Sequence, residues 1–371
     1  MQATLLSANQ LNFSGGPGAL PEAVLQQVQT SILAVPEVGL SILGISHRSD
    51  WFQSIVAQTE ENIKSLLGLD ETYHVLFLQG GATQQFSMIP MSFLKSGQTA
   101  DYLNTGYWST KSIQAPQYAQ QLNTIWSGED SNFNHLPRHN DLNFNPNAAY
   151  FHYTSNETVE GIQFQEVMGL DSVPRICDMS SDFLSKPIDA SKFDLIYAHA
   201  QKNIGPAGVT VVIIKESLLQ HANPNLVGFL NYQTQIQHHS TYNTPPVFAI
   251  YVVYLITQWL IKDIGGLAKM GQRNHAKAQI LYDFLDHSHG FYRAYAAPKD
   301  RSLMNVVFNL ASSDLEEAFL QEAQKVGLSG LNGHRSIGGI RASLYNGLSL
   351  EAVKQLIQFM DEFQHTAKCS Q

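Results

Sequence analysis

A chain of 371 residues, 44% of them hydrophobic, can bury a large core and build two lobes rather than one. Its formal net charge is -9 and no stretch concentrates Lys and Arg, which excludes the basic footprint of a nucleic-acid binder. Cys177 and Cys369 stand in unlike contexts without CxxC spacing, so neither a disulfide framework nor a thiolate metal site is indicated and a reducing cytosol fits.

Met1 to Asn12 lacks a basic stretch, apolar core and cleavage site, so a cytoplasmic protein is expected. After Pro21 the residues Val24, Leu25, Val28 and Ile32 share one helical face, and Pro36 closes that element. A second amphipathic helix uses Phe52, Ile55, Val56, Ile63, Leu66 and Leu67, with Gly68 as its C-terminal cap; the polar loop Gly44–Ser49 lies between the two. Short apolar runs follow, at Val75–Leu78, Ala148–Tyr153, Arg175–Asp178, Leu195–Ala200 and Val209–Ile214. Runs of this length without alternation read as buried, mostly parallel strands whose ligands gather at their carboxyl ends. Pro246–Ile264 is apolar enough to raise a membrane span, but Tyr251, Tyr254, Thr257, Gln258 and Lys262 make it a buried helix. Beyond Gly265-Gly266 come a long helix through Met270, Ala278, Leu281 and Phe284, a strand over Leu303–Leu310, and a helix opened by Ser313 with Glu316 completing a capping box. A strand at Ile340–Tyr345 and a helix after Ser349 finish an α/β C-terminal lobe.

The segment Ala200-Gln201-Lys202-Asn203-Ile204-Gly205-Pro206-Ala207-Gly208 is the most informative. A lysine that attacks an aldehyde must be held at a strand end and partly desolvated, in backbone that approaches a cofactor closely. Alone, it reads as a turn with an exposed lysine; its context changes that. Asp178 ends the preceding run, and a carboxylate facing a pyridine nitrogen keeps the ring protonated, although by itself Asp178 equally suits a turn cap. Gly80-Gly81-Ala82-Thr83, between a strand and a helix, offers backbone N–H groups to a phosphate and matches neither GxxxxGK[ST] nor GxGxxG. Trp108 can stack on a planar ring or serve the core. His47-Arg48, His334-Arg335 and Arg341 suit a substrate with two or three anionic groups, or pair with surface carboxylates. No histidine spacing indicates a metal.

With these segments, and with Asn12 to Gly18, Ser46-His47-Arg48-Ser49, Asn156-Glu157-Thr158-Val159-Glu160-Gly161, Asp178-Met179-Ser180-Ser181, Asn243-Thr244-Pro245-Pro246 and Gly338 to Ser343, the chain closely resembles the phosphoserine aminotransferase family over nearly its whole length. The resemblance implies the α/β fold type I of enzymes that use pyridoxal 5'-phosphate (PLP), with a mostly parallel central sheet flanked by helices and a smaller α/β C-terminal domain. It implies an N-terminal segment at 1-20 associated with the small domain, a large PLP-binding domain at 21-265 and the small domain at 266-371. Lys202 is then the catalytic Schiff-base lysine, Asp178 pairs with the ring nitrogen, Trp108 stacks on the ring and Thr158 lies near the phenolic oxygen. Ala82, Thr83 and Gln201 hold the cofactor phosphate, with Asn243 and Thr244 reaching the phosphate of the neighbouring subunit in a homodimer. Arg341 takes the α-carboxylate, while His47, Arg48, His334 and Arg335 take the phosphate of phosphoserine or the side-chain carboxylate of glutamate. The partners implied are small-molecule substrates and a second copy of the chain, with no nucleic acid and no membrane.

Overall fold

The computed structural model describes residues 6–114 and 116–369; the first five positions of the N-terminal segment lie outside it, as do the side chains at 368–369. Helices α1 (Glu22–Leu33) and α2 (Asp50–Leu67) precede strand β1 (Tyr73–Leu78) and helix α3 (Gly81–Phe93). There follow β2 (Ala100–Asn104), α4 (Tyr107–Ile113), β3 (Leu122–Ser127), β4 (Phe151–Thr154), the small hairpin β5 (Asn156–Glu157) and β6 (Ile162–Gln163), β7 (Arg175–Asp178), β8 (Leu195–His199) and β9 (Thr210–Lys215). Helices α5 (Glu216–Leu219), α6 (Tyr232–Gln237), α7 (Val247–Trp259) and α8 (Leu267–Asp286) come next. The chain ends with β10 (Arg293–Ala294), β11 (Asn305–Asn309), α9 (Ser313–Lys325), β12 (Asn332–His334), β13 (Gly338–Ser343) and α10 (Leu350–Cys369).

A seven-stranded sheet in the order β1-β9-β8-β7-β4-β2-β3 forms the centre. The junctions β8–β7, β7–β4, β4–β2 and β2–β3 are parallel, while β9 pairs antiparallel with both β1 and β8. Every residue of β2, β4 and β7 is buried, as strands covered on both faces must be. One core cluster packs α1, α2 and α7 against the sheet and another packs α3 on its opposite face. The apolar helix α7 contributes Ile250, Val252, Val253 and Ile256 to the first cluster, which explains its composition without a membrane.

A second sheet, β10-β11-β13-β12, is antiparallel and carries its own core of α8, α9 and α10 side chains. Leu11 and Phe13 belong to that core, and Phe13 N–H donates to Ser329 while its carbonyl accepts from Ser343.

Three local readings of the sequence are corrected. Ile32 does not join the buried face of α1; it is 41% exposed, and Ser31, hydrogen-bonded to Tyr251, takes the inward position. The cap of α9 is Ser312 rather than Ser313, its hydroxyl accepting from Leu315 N–H. Glu316 turns away from that cap and accepts from the Leu310 and Gly339 N–H groups, stapling the helix to β11 and β13. Strands β2 and β3 went unread because polar residues interrupt them. Asp101 is buried in β2 only because its carboxylate accepts from Asn123 Nδ2 and Asn145 N–H, and β3 is an edge strand exposed at Asn123 and Thr124.

Candidate active site

Lys202 sits in the turn after β8, buried to 8% exposure. Its Nζ donates to Thr158 Oγ1 at 2.6 Å and lies 4.9 Å from the centre of the Trp108 ring. Burial pushes its pKa down to about 8, against the pull of the Asp178 and Glu157 carboxylates, while Arg341 lowers it further. Asp178 ends the adjacent strand β7 and accepts from Ser180 N–H at 2.8 Å. Burial raises its pKa and the neighbouring Lys202 opposes that rise. A buried amine and a buried carboxylate are thus held at neighbouring strand ends, where an open α/β sheet places its ligand.

Trp108 lies in the first turn of α4, and two glutamates hold that turn. Glu157 accepts from the N–H groups of Trp108 at 3.1 Å and Ser109 at 2.9 Å, and Glu160 accepts from Tyr107 N–H at 2.9 Å. The free N–H groups that begin a helix are therefore satisfied by carboxylates from the Asn156–Gly161 segment, whose Thr158 also touches Lys202. Both carboxyls are buried, and burial raises both pKa values. In the sequence Glu157 and Glu160 carry no sign of this role beyond two acids spaced three apart beside Thr158.

Gly80 and Gly81 both have positive φ, 87° and 69°, and turn the chain from β1 into α3, whose first turn has no side-chain cap at Gly80. Ala82 and Thr83 follow in that first turn, and the His199 ring lies beside Gly81. Gln201 accepts through its carbonyl from Gly18 N–H at 2.8 Å. Asn243 donates to Gln79 Oε1 at 3.0 Å, which brings the Asn243-Thr244 loop to the end of β1 within the same chain.

Arg341, on β13, reaches across from the second sheet: its Nη1 contacts the Thr158 carbonyl at 3.5 Å, and a side chain at Gly15 would strike its guanidinium. His334 packs on Tyr107 with ring centres 4.5 Å apart, and Arg341 and Arg335 help burial to lower its pKa. Among the described residues, Arg341 Nε and Glu160 Oε2 are buried without a hydrogen-bond partner. Lys202, Thr158, Trp108, Asp178 and Arg341 thus converge, with His334 on Tyr107 beside them and Arg335 next in the chain. Among the described residues no hydrogen bond or ring contact joins His47 or Arg48 to this group; their loop precedes α2, with Gln53 Nε2 donating to the His47 carbonyl.

A buried lysine of lowered pKa, a carboxylate at the next strand end, an aromatic ring over the amine and a glycine cradle at a helix start fit PLP, whose aldehyde, ring nitrogen, ring face and phosphate call for groups of these kinds. Fold and site together define a PLP-dependent transaminase of fold type I.

The model of the aminotransferase class-V family matches residues 10–356, and the chain belongs to that family. It is 49% identical over 362 residues to the phosphoserine aminotransferase of Desulfosudis oleivorans, covering 97% of this chain and 99% of that one. Against the solved phosphoserine aminotransferase of Bacillus circulans subsp. alkalophilus the TM-score is 0.93 at 44% identity, over 96% of this chain and 99% of that one. The PLP-bound phosphoserine aminotransferase of Trichomonas vaginalis gives a TM-score of 0.89 at 35% identity, over 95% and 99% of the two chains.

Proposed function

We propose that this chain moves the amino group of L-glutamate to 3-phosphooxypyruvate, releasing 2-oxoglutarate and then O-phospho-L-serine in a ping-pong sequence. The observation that carries the reading is Arg341, with the His334 imidazole as a further donor, beside a lysine whose neighbours are Thr158, Trp108 and Asp178. When bound, PLP is an electron sink for the carbanion formed at the substrate α-carbon.

Lys202 Nζ, its pKa lowered by burial so that the amine is more accessible than in an ordinary lysine, would hold the cofactor and then move the α-proton; Thr158 Oγ1 orients it. Asp178 would hold the ring nitrogen and Trp108 would stack on the ring. Ala82, Thr83 and Gln201 would hold the phosphate, and Arg341 would take the α-carboxylate. His334 and Arg335, joined by His47 and Arg48, take the distal anion, so one pocket serves a phosphate in one half-reaction and a carboxylate in the other. That pocket recognises the phosphate rather than the carbon chain, so the phosphorylated oxo acid leading to 4-phosphohydroxythreonine is a second substrate of the same reading.

A homodimer completes the site in this account, bringing His47, Arg48, Asn243 and Thr244 to the partner. Its support is the exposure of the apolar side chains Leu40, Leu43, Val227 and Tyr242. Leu43 lines a depression with Ala207, Pro246 and Phe248. We also read the enzyme as cytoplasmic, acting on small molecules with no nucleic-acid or membrane partner, in keeping with its net charge of -9. Lys202→Ala is expected to remove transamination between glutamate and 3-phosphooxypyruvate in a coupled assay; full retention would defeat the assignment.

A further inference from the structure

Behind Asp178 the sheet carries a run of buried polar aromatic groups that the reaction as described does not use. Strand register sets Asp178 opposite Tyr197 on β8, and His152 on β4 opposite Ile176, two residues before Asp178. Since residues two apart share a face, Asp178, Tyr197 and His152 project from the same side of the sheet. His152 Nε2 lies 2.9 Å from Tyr197 Oη, and the Tyr197 hydroxyl, on the register partner of Asp178, favours the ionised form of that carboxylate. Tyr102, paired with His152 in register, stacks on the imidazole with ring centres 4.7 Å apart, and the Tyr197 ring flanks it at 5.9 Å. All four side chains are buried.

The direction of this chain follows from proton counting. Burial pushes His152 down to about 3, so its ring is neutral and holds one proton. Among the described residues, His152 Nδ1 is buried with no partner. A proton there would be an orphaned donor, and the Tyr197 hydroxyl would turn back toward Nε2, away from Asp178. A proton on Nε2 leaves only an unmet acceptor at Nδ1, satisfies the tyrosine oxygen and frees the phenolic O–H for Asp178. Buried donors are left unpaired less often than acceptors, so the second arrangement prevails.

We propose that Tyr197 and His152 are positioning residues for the reaction: the imidazole orients the Tyr197 hydroxyl, which fixes the Asp178 carboxylate against the cofactor's ring nitrogen. This rests on the reading of Asp178 given above. The test compares Tyr197→Phe, His152→Leu and His152→Gln with the parent and with Asp178→Asn. PLP affinity is measured by titrating the apo-proteins, kcat and KM for O-phospho-L-serine are measured on the loaded ones, and melting is followed on the apo-proteins.

Tyr197→Phe and His152→Leu are expected to bind PLP about tenfold more weakly, the worth of one hydrogen bond to a charged acceptor. Their kcat falls at least as far, with KM unchanged; apo-protein melting falls too, because each variant leaves a buried partner unpaired, and it is read separately from PLP affinity. His152→Gln, which keeps a donor where Nε2 stands, is expected to recover most of the loss. Tyr197→Phe within twofold of the parent in PLP affinity and kcat overturns the proposal. If Tyr197→Phe fails to fold, equal PLP affinity in His152→Leu and His152→Gln overturns it instead. Unimpaired Asp178→Asn would sink the underlying reading of Asp178, whereas impaired Asp178→Asn with neutral Tyr197→Phe removes the relay alone.

Discussion

Lys202 carries the sharpest consequence at the scale of single residues. An amine attacks an aldehyde only when unprotonated, and burial has brought this one from the ordinary lysine range down to about 8. Below that value the ammonium predominates and PLP capture is slow; above it the amine is in place and the rate levels off. The rate of PLP uptake by apo-protein is therefore expected to rise with pH through a midpoint near 8, and a midpoint near 10 would show that the lysine is solvated. Lysine and aspartate were legible in the sequence because each ends an apolar run, the mark of a strand leading into a site. Glu157, Glu160, Tyr197 and His152 were not, because their function depends on strands that are distant along the chain. His152, within a run of Phe and Tyr, carries no sign of facing Tyr197 until β4, β7 and β8 are aligned.

At the scale of elements, the two sheets are joined beside the lysine turn by a group of buried amides. Asn203, next to Lys202, accepts from Asn346 N–H at 2.8 Å and donates to the Phe183 carbonyl at 2.7 Å. Asn346 donates to the Leu184 carbonyl at 2.9 Å, and Asn274 of α8 donates to Asn346 Oδ1 and the Ser185 carbonyl, each at 2.8 Å. One turn of α8 further on, Lys277 is buried with its Nζ donating to the carbonyls of Leu344, Tyr345 and Leu348. The loop after β13, which follows Arg341, is thereby fixed to both α8 and the Lys202 turn. Lys277→Met takes the donor from the buried carbonyls of Leu344 and Leu348, while Tyr345 keeps the Leu348 N–H, and unfolding in urea is expected to show a loss of at least ~2 kcal/mol. Amide exchange over 344–348 should rise in the same variant; unchanged stability and exchange would mean the loop is held elsewhere. None of this was readable beforehand, since an asparagine in a loop looks the same in sequence whether it lies in solvent or locks two sheets. The strands of uninterrupted apolar residues were readable, with boundaries within a few residues, because burial on both faces leaves a continuous signal.

For the whole molecule, the boundaries drawn at 1-20, 21-265 and 266-371 are a proposal that the two cores described above act as two lobes, with Leu11 and Phe13 tying the N-terminal segment to the second. The exposed apolar side chains at Leu43 and Tyr242 argue for a partner surface. Light scattering is expected to give twice the mass of the chain, and Leu43→Glu combined with Tyr242→Glu to give the single mass with weakened PLP retention. A single mass in the parent would remove the partner from the site and leave His47 and Arg48 without a role in it. The central claim, that this site exchanges amino groups with a phosphorylated substrate, is tested most directly by the visible spectrum of the PLP-loaded protein titrated with O-phospho-L-serine and, separately, with serine. The account predicts that phosphoserine bleaches the visible band while serine at the same concentration leaves it. A band untouched by both, or bleached equally by both, would contradict it.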